Sequence, residues 1–141
     1  MGGVNRLLLV VYVIVFWIHK HNQYKTGIQL AFGTKIGKGL FFPHFSCIII
    51  NSGVAIGDNC IIYQGVTLGS VRGEKGGVPQ IGNNVVICAG AKVIGNVKIG
   101  NNVMIGANAV VVNDIPDNAV IGGIPAKILN MDGVRNVANY I

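Results

Sequence analysis

An aliphatic residue returns at every sixth position from Ile81 onward: Ile81, Ile87, Val93, Ile99, Ile105 and Val111. The same spacing links Ile50, Ile56, Ile62 and Leu68 upstream, and Leu30, Ile36, Phe42 and Ile48 begin the series. A period of six fits neither the helical stripe of about 3.6 residues nor the alternation of a half-buried strand, so the pattern is that of a repeat architecture. Four places after these positions stand Val54, Cys60, Val66, Val85, Ala91, Val97, Val103 and Ala109, so both sets are expected to point inward.

The pentapeptide IGNNV occurs at 81–85 and again at 99–103, eighteen residues apart. Three hexapeptides would then close one triangular coil, with each side chain stacked on its counterpart in the next. Gly82, Gly100, Gly106 and the paired asparagines tolerate the left-handed backbone that sharp corners need. The series slips by two residues between Ile48 and Ile50, and Leu68 to Ile81 spans thirteen residues. The second slip holds SVRGEKGGVPQ, residues 70–80, which is charged and glycine-rich and is expected to project as a flexible arm.

Residues 7–18, LLLVVYVIVFWI, are the most apolar run. Twelve helical residues reach about 18 Å, short of the roughly 30 Å of a bilayer core. No small-residue cleavage site follows, only His19, Lys20, His21 and Asn22. The expectation is a helix that packs as a cap or rests on a membrane surface. Open coil ends need covers, which the helix near residues 4–20 and the tail from about Asp117 to Ile141 would provide. The expected organisation is an N-terminal helix and connector over 1–26, a repeat domain over 27–130 and a C-terminal tail over 131–141.

Composition narrows the partners. The chain has 141 residues, 51% of them hydrophobic and 11% charged, with 21 glycines and a net charge of +6. The lysines and arginines stand singly, without a basic run or an aromatic-interleaved basic patch, which argues against nucleic acid and favours a discrete anionic ligand. Cys47, Cys60 and Cys88 form no C-x-x-C pair, so neither a disulfide framework nor a structural zinc site is expected, and a reducing cytoplasm is the simplest compartment. His44, in FFPHFSC beside the first slip, is the only histidine of the repeat region. By itself it reads either as a functional imidazole or as an ordinary turn histidine.

The segments GTKIGKGLFFPH, AIGDNCIIYQGVTLG, IGNNVVICAGAKVIGNVKIGNNVMIGANAVVVNDIP and GGIPAKIL together resemble the hexapeptide-repeat acyltransferases, in particular the serine acetyltransferase branch. The resemblance covers roughly residues 27–130. It implies an all-β, left-handed parallel β-helix, a homotrimer, and an O-acetyltransferase using acetyl-CoA as co-substrate and no metal. His44 aligns with the catalytic histidine, which would act as general base in a direct transfer, an aid of about 10² to 10⁴ in rate. Backbone N–H groups at the corners would hold the oxyanion. On the same resemblance Ala89, Gly90, Ala107, Gly69 and Ser70 would line the CoA groove and Lys127 would stand near the nucleotide, with Lys92 a second cation for the phosphates.

The chain departs from that branch at four positions. Pro43 replaces an aspartate before the catalytic histidine, Gly77 and Val78 replace an arginine and a second histidine, and Gln29 replaces another aspartate. The usual N-terminal helical domain is also not found in these 141 residues. The stretch GIQLAFGTKIGKGLFFPHFSCIIIN resembles enzymes of capsule and exopolysaccharide clusters, so the expected acceptor is a sugar hydroxyl, with serine as the alternative. Peripheral membrane association at the inner face would accompany that role. Zinc-dependent hexapeptide enzymes need several converging histidines, which the repeats lack, and a noncatalytic solenoid would need neither His44 nor GGIPAKIL.

Overall fold

A computed structural model describes residues 6–73 and 76–141. Helix α1 (Arg6–Thr26) leads into five coils of short strands. The first coil contains β1 (Ile28–Leu30) and β2 (Lys35–Ile36); the second β3 (Ile48–Ile50), β4 (Ala55–Ile56) and β5 (Ile61–Ile62). The third contains β6 (Thr67–Gly69), β7 (Gln80–Ile81) and β8 (Val86–Ile87); the fourth β9 (Lys92–Ile94), β10 (Lys98–Ile99) and β11 (Met104–Ile105). The fifth holds β12 (Val110–Val111) and β13 (Val120–Gly122), after which come β14 (Lys127–Asn130) and a short helix α2 (Gly133–Val137).

Strands one coil apart pair in parallel and form the three faces of a prism. The first face runs β1-β3-β6-β9-β12, the second β2-β4-β7-β10 and the third β5-β8-β11-β13, to which β14 adds antiparallel. This is a left-handed parallel β-helix. Its core is the stack of inward positions: Ile62, Ile87, Ile105 and Ile121 are each fully buried along the third face, as are Val66, Ala91 and Ala109 beside the first. Burying each large aliphatic side chain contributes about 1.5–3 kcal/mol, and a one-residue slip of register would turn the whole set outward.

The corner between the second and third faces shows why asparagine recurs. Asn59, Asn84, Asn102 and Asn118 have φ of +53°, +54°, +55° and +63°, the left-handed region that asparagine tolerates better than other side chains. Their amides form a ladder along the prism: Asn59 donates to Asn84 at 3.3 Å, Asn84 to Asn102 at 3.0 Å and Asn102 to Asn118 at 3.0 Å. A second ladder uses the preceding residues, where Asn83 Oδ1 accepts from the Asp58 N–H and Asn101 Oδ1 from the Asn83 N–H, both at 2.8 Å. The polar groups of each sharp turn are thus met by the coil beneath it.

The register locates the slips. Steps along the first face are twenty residues from Ile28 to Ile48, eighteen from Ile49 to Thr67, twenty-five from Thr67 to Lys92 and eighteen from Lys92 to Val110. The two extra residues of the first slip fall in Pro43–Cys47 and not at Ile48–Ile50, because Phe41 bridges Ile61 while Ile48 and Ile50 are both inward and paired in β3. The second slip is one hexapeptide step plus seven residues. Val71 and Gly77 close its base with two backbone hydrogen bonds of 3.1 Å, and Gln80 already belongs to β7, so the arm is shorter than 70–80. Glu74 and Lys75 of this arm lie outside the described residues.

Both end covers differ from expectation. The coil continues past Asp117, since Val120 pairs with Met104 sixteen residues earlier, and the cover is β14 with α2. At the other end α1 has no buried residue. Only its C-terminal part meets the coil: Phe16 stacks on Phe32 at 6.1 Å, and the Gln23 amide donates to the edge carbonyl of Leu30 at 2.6 Å, with His19 Nε2 at 2.8 Å from the same oxygen. The expectation of a packed helix therefore holds only for its last turns within one chain. No described helix is long and apolar enough to cross a membrane.

Replacing Asn102 by alanine removes two rungs of the ladder and puts a side chain that prefers negative φ at +55°. A loss of about 2–3 kcal/mol is expected, read as a fall of roughly 5–10 °C in the melting temperature. Asn102→Gly, which adopts this φ freely, should lose less, and equal losses for the two would show that the backbone conformation contributes nothing.

Candidate functional site

The corner between the third and first faces gathers the chemistry. Its left-handed position is filled down the coils by Cys47, Gly65, Gly90 and Asn108, with φ of +53°, +74°, +75° and +56°. The residue before each of these stands at the outside of the bend, which puts Ser46, Gln64, Ala89 and Ala107 in one column. The Gly65 N–H donates to Ser46 at 3.1 Å, Gly90 to Gln64 at 2.9 Å and Asn108 to Ala89 at 2.9 Å. Rungs in a β-ladder are about 4.8 Å apart, so Ser46 to Ala107 spans about 14 Å.

His44 heads this column, displaced from the wall by the two extra residues. It is exposed, and its ring lies 6.0 Å from that of Tyr63, which meets Tyr140 edge-on at 6.4 Å. Tyr63, Cys88, Ala89, Ala107 and Tyr140 line a cavity of about 260 Å³. A histidine with an accessible ring, an aromatic wall and a trough floored by alanines share one edge of the prism. Among the described residues no hydrogen bond reaches the His44 ring.

The remaining candidates divide. Gly90 takes the left-handed position beside the column, and its lack of a side chain is already required by the corner, since a Cβ there would collide with Asn108 Oδ1. Lys92, on β9, donates its ammonium to the Gly65 carbonyl at the same corner. Lys127 is exposed at the start of β14, just beyond the foot of the column, where the Ala126 N–H donates to Val110 at 2.8 Å. Gly69 and Ser70 lie across the first face, where the arm departs and Asn51 donates to Ser70 Oγ at 3.3 Å. Within one chain they are therefore separated from His44 by the width of that face. Gln29 is exposed on β1, Pro43 is half-buried, and Gly77 and Val78 lie on the returning limb of the arm.

Tyr63 and Tyr140 were not singled out from sequence. Tyr63 carries a weak signal, an aromatic residue at the outward place after the inward Ile62. Tyr140 carries none, because its approach depends on the tail folding back so that Val137 is buried with Ile61 and Val86. Of the cysteines, Cys60 is fully buried and its thiol donates to the Gly82 carbonyl at 3.3 Å, whereas Cys88 lines the cavity.

Two family descriptions fit the chain: residues 79–113 match "Bacterial transferase hexapeptide (six repeats)" and residues 45–70 match "Hexapeptide repeat of succinyl-transferase". Both matched segments carry the repeat of the hexapeptide transferase family. The chain is 49% identical over 125 residues to a serine acetyltransferase of Staphylococcus aureus strain Mu50, covering 88% of this chain and 59% of that one. A serine acetyltransferase of Staphylococcus epidermidis strain RP62A is 46% identical over the same shares. The solved Brucella abortus serine acetyltransferase in complex with coenzyme A is 35% identical with a TM-score of 0.64, over 70% of this chain and 40% of that one. The chain thus spans about six-tenths of the curated relatives it matches.

These relatives correct the expected acceptor. Likeness to capsule and exopolysaccharide enzymes suggested a sugar hydroxyl, whereas this hexapeptide-repeat chain matches serine acetyltransferases at 46% and 49% identity over 88% of its length. The sugar reading leaned on the uncharged Pro43, Gln29, Gly77 and Val78, four positions, against likeness along 125 residues.

The thiols give a direct check on the corner. Burial raises the pKa of Cys60 and Cys88 above the ordinary thiol value, so each carries less thiolate at a given pH. With iodoacetamide at mildly alkaline pH, exposed Cys47 should be modified first, half-buried Cys88 more slowly, and Cys60 only after unfolding. Peptide mapping that finds Cys60 modified as fast as Cys47 would contradict this wall.

Proposed function

We propose that this chain is an acetyl-CoA-dependent serine O-acetyltransferase that works as a homotrimer. The observation that carries the reading is the 49% identity to a serine acetyltransferase, in a chain whose exposed His44 lies 6.0 Å from Tyr63 at the rim of the cavity that Ala89 and Ala107 floor. In this reading His44 takes the proton from the serine hydroxyl as that oxygen attacks the thioester carbonyl. The C–S bond then breaks, and the departing CoA sulfur recovers the proton from the imidazolium. A base so placed contributes about 10² to 10⁴ in rate.

The trough suits the pantetheine arm of CoA because Ala89 and Ala107 project only methyl groups into it. Lys127 beyond its foot and Lys92 at its side would meet the phosphates. Gly69 and Ser70 would join the site from the neighbouring subunit, since a single chain holds them on the far edge of the first face. A trimer therefore supports the reading physically: one protomer presents the His44 corner and the next presents the arm. Because Pro43, Gln29, Gly77 and Val78 carry no charge, serine's ammonium and carboxylate would be held weakly, and a high KM for serine is expected.

Release of free CoA thiol from acetyl-CoA should depend on added serine, and His44→Ala should lower kcat by about 10² to 10⁴. Full serine-dependent activity in the variant would remove His44 from the mechanism. Thiol release independent of serine would remove the acceptor. Light scattering during gel filtration should give three times the 14.8 kDa chain mass, and a monomer mass at the assay concentration would leave Gly69 and Ser70 outside the site.

A further inference from the structure

Over residues 7–18 helix α1 has no polar face. From Leu8 to Val15 every side chain is 44–63% exposed, and Trp17 and Ile18 are 67% and 56% exposed. A helix that packs against protein neighbours needs an apolar stripe of about 100° or somewhat more, with polar residues opposite. If second copies covered one side here, the other side would remain apolar and wet. An occupant that surrounds the helix is a lipid phase.

Charge points the same way. All five acidic residues of the chain lie at or beyond Asp58, so α1 carries Arg6, Lys20 and Lys25 and no carboxylate, and Asp58 reaches the first coil as the cap of the Lys38 N–H at 2.7 Å. Arg6 and Lys20 bracket the apolar run, and fourteen helical steps put them about 21 Å apart. That is short of the roughly 30 Å of a hydrocarbon core, so both cations can reach headgroups only if they reach the same leaflet. The last turns of α1 are fastened to the coil through Phe16, Gln23 and His19, which would hold the β-helix against the surface.

We propose that α1 docks the protein on an anionic lipid bilayer, sunk along one leaflet without crossing it, with Arg6 and Lys20 at the level of the phosphates. Amphipathic interfacial helices keep a polar face toward water. Lacking one, this helix sits just beneath the headgroups while its two terminal cations extend upward. The proposal is independent of the acceptor assigned above.

Trp17 is the only tryptophan and reports directly. The full chain should float with phosphatidylcholine vesicles that contain phosphatidylglycerol, far less with phosphatidylcholine alone, and Trp17 emission should shift to the blue on binding. Lipids brominated near the headgroup should quench it more than lipids brominated near the chain ends. A double variant, Arg6→Gln with Lys20→Gln, should bind these vesicles roughly 30-fold more weakly, with unchanged circular dichroism showing that the coil is intact. Failure to float, or equal flotation with neutral vesicles, would overturn the proposal. So would a Trp17 emission already blue in lipid-free protein and unmoved by vesicles, which would give the helix to a second copy.

Discussion

A triangular coil returns on itself only if the backbone turns sharply at its corners, and here left-handed φ recurs coil after coil at two of the three, while the third uses it at Gly33 and Gly95. Asparagines hold that conformation at one edge of the prism, and Cys47, Gly65, Gly90 and Asn108 at another. Because these positions recur in register, each inward isoleucine or valine lands on the one below, and the core becomes a continuous dry rod. Neither component suffices separately: the aliphatic stack does not select a corner, and the corners have no driving force without the stack.

A dry rod also leaves no interior site. Any chemistry has to be built on the outside, and the outside changes only where the register accommodates extra residues at a bend. The two additional residues before β3 move His44 off the wall, and the seven before β7 form the arm. The shortened last coil has the opposite effect, ending the parallel stack so that β14 can fold back antiparallel and bring Lys127 near the column. Departures from the repeat are thus where a ligand or partner would meet this molecule.

The inward set was legible because a fully buried stack imposes strict periodicity, and Val54, Cys60, Val66, Val85, Val103 and Ala109 are all buried as the spacing requires. The position of the first slip was not. Ile48, Ile49 and Ile50 offer three equivalent aliphatic residues, and only the pairing of Ile48 with Ile28 and Ile50 with Leu68 shows that the extra residues precede them. The tail misled for a related reason: a coil shortened to sixteen residues no longer shows the period, although Ile115 still bridges Ile99. Of the candidate site, His44, Ala89 and Ala107 were named through the resemblance of their motifs, and the coil brings them to one edge of the prism. The Tyr63–Tyr140 contact was not legible, because it joins residues whose proximity is set by the packing of α2 and leaves no mark on local sequence.

The positive balance gains a structural cause once the carboxylates are located. Asp58, Asp114 and Asp117 use Oδ1 to accept the N–H groups of Lys38, Lys98 and Asn101 at 2.7, 2.8 and 2.7 Å, so three of the five acidic side chains act as corner caps. They sit at the two corners other than that of His44, and none lies on α1, which leaves two regions in which cations predominate. One, with Lys92 and Lys127, adjoins the trough. The other, with Arg6, Lys20 and Lys25, lies on the apolar helix. The two fields suit anions of different kinds, a compact polyphosphate at a concave edge and a planar array of single phosphates beneath which an apolar helix can sink. Salt would screen both, but at the helix apolar burial would persist, whereas a ligand held at the trough mainly by its phosphates would be released.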